Sequence, residues 1–200
     1  MLCTLKFWIM SGVNDLEKIF TFLELELTSD GLQFFLNIKK CYEGDVKLFG
    51  EFIFDYLSMQ SSDSITAEDN LYDKFVLYYK NMMSLQGENE FLEQFARYAK
   101  YYLMLNYECV KDDNLKHWVS IINKYDGKIA YPFLMEVLDD FEHGRIEIKD
   151  LNDMALMVVN LLKNSNHDDS MLRYEFSQLG MRVNEMLTVE SSELLHKKAV

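Results

Sequence analysis

At 200 residues the chain carries 33 acidic and 20 basic side chains, a formal charge of −13. It lacks the cationic surplus by which proteins hold polyphosphates, so direct nucleic-acid binding by this chain alone is disfavoured. Hydrophobic residues make up 49% and aromatics 14%, too many core formers for a disordered chain, and no stretch approaches the roughly 20 apolar residues of a membrane span.

One proline and eight glycines leave few breakers, which favours helices joined by short turns. In "GVNDLEKIFTFLELEL" the apolar positions Leu16, Ile19, Phe20, Leu23 and Leu27 recur at helical steps, with Asn14 and Glu17 spaced as a capping box. A second helix follows through Leu32, Phe35, Leu36 and Cys41, with Ser29 or Asp30 as cap and Gly44 as stop. "DVKLFGEFIFDYLSMQ" places Phe49, Phe52, Ile53, Tyr56 and Leu57 on one face, although Gly50 costs about 1 kcal/mol relative to Ala inside a helix. The polar interval "SSDSIT" is the expected hinge, and Thr66 with Asp69 can start the next helix.

From Ala67 to about Gln86 one stripe runs through Leu71, Phe75, Tyr78, Tyr79 and Met82. After "GEN" a second runs through Phe91, Phe95, Tyr98, Ala99, Tyr102 and Leu105, which together predict a helical hairpin. The tyrosine-rich run "RYAKYYLMLNYE" invites a base-stacking reading, but the spacing puts Tyr98 and Tyr102 in a core, with Tyr101 elsewhere. "DDNLKHWVSIINKYDG" predicts a helix capped by Asp112 or Asp113, with Leu115, Trp118, Val119, Ile122 and Tyr125 inward and Gly127 at its stop. Pro132, the only proline, fits the first turn of the next helix, whose face is Phe133, Leu134, Val137, Leu138 and Phe141 and whose end is Gly144. A further helix runs through Leu151, Met154, Ala155, Val158, Val159 and Leu162, and the last is expected from about Asp169 to Leu187.

The expected fold class is therefore all-α, about nine helices in an irregular bundle, with 1–62 as an N-terminal subdomain, 63–190 as the main bundle and 191–200 as a frayed tail of one compact unit. Cys3, Cys41 and Cys109, odd in number and far apart, suit reduced thiols buried as small core residues of a cytoplasmic protein. The N-terminal run "MLCTLKFWIMSGV" lacks the length and cleavage site of a secretion signal, so the expected location is cytoplasmic.

No motif for chemistry emerges. His117, His143, His167 and His196 are scattered outside any zinc-ligand spacing, and "NHDD" at Asn166 to Asp169 reads as a capping loop. Nucleophile elbows, phosphate loops and C-x-x-C are missing, and Asp139-Asp140, adjacent on a helix, point apart. No catalytic, cofactor-binding or metal-ligating residue is nominated, and no cofactor is implied.

One set of elements in order resembles a known family. Asp55-Tyr56-Leu57, Leu71-Tyr72 with Phe75, Tyr98 to Tyr102, Pro132-Phe133-Leu134 and Gly144-Arg145-Ile146, within Leu48 to Leu162, resemble the helical middle region of the GmrSD-type modification-dependent restriction endonucleases, which are phage-defence proteins. The "DGQQR" motif of that family's N-terminal nuclease-like domain and its C-terminal His-Asn-His domain are not found here. The resemblance implies a non-catalytic helical scaffold or interaction module, with a protein partner or linked nuclease domains. Two alternatives stand beside it: an acidic decoy or inhibitor seated in a partner's basic groove, which the charge of −13 permits, and a helical enzyme whose site is assembled from distant residues.

Overall fold

The computed structural model describes residues 15–42, 44–60, 70–164, 172–173 and 175–179. Their regular structure is entirely helical, as the periodicity predicts: α1 (15–26), α2 (Ser29–Lys40), α3 (Val46–Gln60), α4 (Leu71–Leu85), α5 (Glu88–Asn106), α6 (Asp113–Lys124), a 3-10 turn (Gly127–Ala130), α7 (Tyr131–Glu142) and α8 (Ile148–Asn164). A ninth helical stretch covers 172–173 and 175–179. No strand occurs among the described residues.

The chain forms two compact units, Met1–Leu103 and Met104–Val200. The division falls inside α5, whereas the expected hinge lies in the interval 61–69, outside the described residues. The proposed caps Asn14 and Thr66 also lie outside them.

In the first unit α3 is buried nearly all round, from Leu48 to Met59, rather than along one face. That is the signature of a helix enclosed by others. Aromatic side chains enclose it: Phe49 meets Tyr42 and Phe20 at ring separations of 4.8 and 5.7 Å, and Phe52 and Tyr56 meet Phe95 at 5.0 and 5.3 Å. Tyr56 and Tyr78 share a hydroxyl hydrogen bond of 2.7 Å, which satisfies two polar tips inside an apolar setting. Gly50 has a packing reason, since a Cβ there would lie 2.8 Å from Cδ1 of Leu16. Tyr98 and Tyr102 are core residues as expected, and Tyr101, expected elsewhere, is buried with them.

Helix ends follow capping chemistry more closely than the periodicity could specify. Thr28, rather than Ser29 or Asp30, caps α2: its hydroxyl accepts from the Gly31 amide at 3.2 Å. Glu88, the first residue of α5, in turn accepts from the Thr28 amide at 2.9 Å and from its hydroxyl. One carboxylate thus lies at the positive ends of two helices. On α2 the inward residues are Gly31, Phe35 and Ile38, while Leu36, expected inward, is exposed. Asn70 caps α4, and Gly87 at φ +86° turns the chain into α5, where Phe91 packs on Tyr79 at 5.1 Å.

In the second unit Asp112 caps α6 through the Leu115 amide at 2.8 Å, as predicted. Leu115, Val119 and Ile122 turn inward, but Tyr125 is 49% exposed, with the Lys163 ammonium 5.6 Å from its ring. The left-handed position after α6 belongs to Asp126 at φ +55°, so Gly127 is not the stop residue expected. Gly127 is required for close approach instead: a Cβ would meet the Ile122 carbonyl at 2.6 Å and the Leu162 side chain at 2.8 Å. α7 begins with Pro132 in its first turn, as predicted, and is buried at every position from Tyr131 to Asp140.

Candidate functional site

A charged group built on two buried carboxylates, Asp139 and Asp140, sits where α7 ends. Gly144, at φ +68°, closes the helix in a Schellman arrangement: the Arg145 amide donates to the Asp140 carbonyl at 2.8 Å and the Gly144 amide to the Phe141 carbonyl at 3.0 Å. This reversal returns the Arg145 side chain along the helix it has just left. Its Nε donates to Oδ1 of Asp140 and its Nη2 to Oδ2 of Asp139, both at 2.6 Å. One guanidinium thereby bridges two adjacent carboxylates, a use of the planar fork that an ammonium does not reproduce.

The electrostatics follow from burial. Asp140 is 1% exposed, and burial holds its carboxyl above the usual range even though the hydrogen bond and charge of Arg145 pull the other way. For Arg145 burial opposes the charge, but the hydrogen bonds and charges of Asp140 and then Asp139 outweigh it and raise its pKa. His143 lies with Nδ1 2.8 Å from the Asp139 carbonyl and 3.4 Å from its Oδ2, so it borders the same group. What the arrangement does is lock the turn from α7 towards α8. Asp150 then caps that helix by accepting from the Glu147 amide at 2.9 Å.

A second polar junction ties α6 and α7 together. Asn123 donates to the Leu105 carbonyl at 3.0 Å and accepts from the Tyr131 hydroxyl at 2.7 Å. Against this frame α8 packs its inner residues Leu151, Ala155, Val158 and Val159, all fully buried. Its outer side exposes Leu156, Met157 and Leu161 at 37, 40 and 41%. Met157 and Leu161 are one turn apart and neighbour each other on that surface.

The other residues with chemical potential are dispersed. His117 stands edge-on to Trp118 at 5.0 Å, while His167, His196, Cys3 and the "NHDD" loop lie outside the described residues. Cys41 and Cys109 are exposed rather than buried, each with its thiol on a nearby carbonyl, of Asn37 and Tyr107 respectively, at 3.3 Å. Each lies just past a helix end, Cys41 after α2 and Cys109 after α5. Among the described residues no three His, Cys, Asp or Glu side chains converge as a metal site would require. No described helix is long and apolar enough to cross a membrane.

Asp139 and Asp140, expected from helical geometry to point apart, converge on the one guanidinium of Arg145. The available signal was "DDFEHGR", in which a helix-ending glycine is followed at once by an arginine that the reversed backbone returns to the last turn. Compared with protein-family models, with curated proteins and with solved structures, the chain matches none.

Proposed function

We propose that this chain is a non-catalytic helical interaction module that positions a partner protein or linked domains, in the manner the GmrSD-type resemblance implies. The observation that supports the reading is the pairing of a locked helix with an exposed one. Arg145 clamps the end of α7, and the neighbouring α8 offers Leu156, Met157 and Leu161 outward while its other side is fully buried. Large apolar side chains on a helix whose other side is packed suit docking, because little backbone freedom remains to be lost on association.

The test is affinity capture from cells that encode the protein, with the full chain as bait and mass-spectrometric identification of what it retains. Recovery of a ParB-like or His-Asn-His nuclease by the wild type, and its loss with Met157→Glu/Leu161→Glu at unchanged helicity, supports the proposal. Recovery of no such nuclease, or equal recovery by both baits, overturns it.

A further inference from the structure

We draw no further inference here: the strongest candidate, the side-chain cluster of buried Tyr79 with Glu26 and Glu88 in the first unit, rests on electrostatic influence alone, with no geometry that places a ligand among the three groups.

Discussion

At Arg145 a single side chain decides whether two buried carboxylates are tolerable. Replacing it by Met keeps the aliphatic stem but leaves Asp139 and Asp140 without the guanidinium; because the Arg145 side chain is itself 38% exposed and water screens the pair, the expected loss at neutral pH is about 1–2 kcal/mol, below that of a fully buried pair. The pH dependence has a definite sign. Asp140 already titrates above its unfolded value, so its contribution to stability is fully present below the unfolded carboxylate range and is lost as pH rises through the folded pKa. Removing Arg145 raises that pKa further, because the arginine is what lowers it. Arg145→Met is therefore expected to lose little at about pH 4 and most at about pH 7, read as the gap in urea midpoint from the wild type. Asp140→Asn keeps an acceptor for Nε and removes the buried charge, so its stability relative to wild type should improve over the same rise; a constant gap would count against this account. Tyr79 presents the opposite case. Its ring is buried, its hydroxyl makes no hydrogen bond among the described residues, and burial, with Glu88 and Glu26, pushes its phenol upward. Tyr79→Phe removes an unsatisfied group without opening a cavity, and a gain of about 0.5–1 kcal/mol is expected in thermal unfolding.

At the scale of elements, the two buried glycines separate propensity from packing. Gly50 lies inside α3, so Ala gains about 1 kcal/mol of helix propensity, but its Cβ meets the end of the Leu16 side chain, and overpacking costs about 1–3 kcal/mol. A flexible methyl can yield, so Gly50→Ala should be near neutral or mildly destabilising. Gly127→Ala meets the Ile122 carbonyl, which cannot rotate away, and about 2–3 kcal/mol should be lost. Equilibrium denaturation of both variants checks the order, and a reversed order would show that backbone contact is not what Gly127 relieves. These cases mark how far the sequence could be read. Apolar spacing identified α1 to α8 because a buried stripe repeats every three or four residues, and Pro132 and Gly144 marked the ends of α7. The caps shifted by a residue because Thr28, Ser29 and Asp30 are all competent, and the choice falls to Thr28, which bonds Glu88 sixty positions away. Local spacing carries no record of such a partner. Spacing alone shows Gly50 as a cost because its neighbour Leu16 is remote in sequence, and Gly127 as a stop because the approach of the Ile122 carbonyl and of Leu162 depends on how the chain turns after α6.

Over the whole molecule, composition settled the fold class, since few breakers and abundant Phe, Tyr and Leu leave helices as the economical way to bury apolar surface. It did not show that α3 and α7 are buried all round. Their sequences carry Asp55, Glu136, Asp139 and Asp140, charges that normally mark a solvent face, and partners that apolar spacing does not display, such as Arg145 for Asp139 and Asp140, make such residues admissible inside. The candidate site is legible to the same degree: its acids and the helix-ending Gly144 stand in plain view, and the return of the Arg145 side chain onto both carboxylates does not. What the global charge does determine is the response to a polyanion. Each phosphate neutralised by a cation contributes about 0.9 to the slope of log affinity against log salt, so any substantial affinity for duplex DNA requires several aligned cations. With 33 acidic and 20 basic residues, such a row would have to form against a repulsive field that is felt over about 10 Å at 0.1 M salt and farther when dilute. Fluorescence anisotropy with a labelled 20-bp duplex, modified or unmodified, should accordingly show no saturable binding at micromolar protein in about 50 mM salt, where attraction would be strongest. Saturation under those conditions, with a steep salt slope, would mean that a local basic face overrides the total charge, and would place the chain in contact with DNA rather than beside a partner that makes that contact.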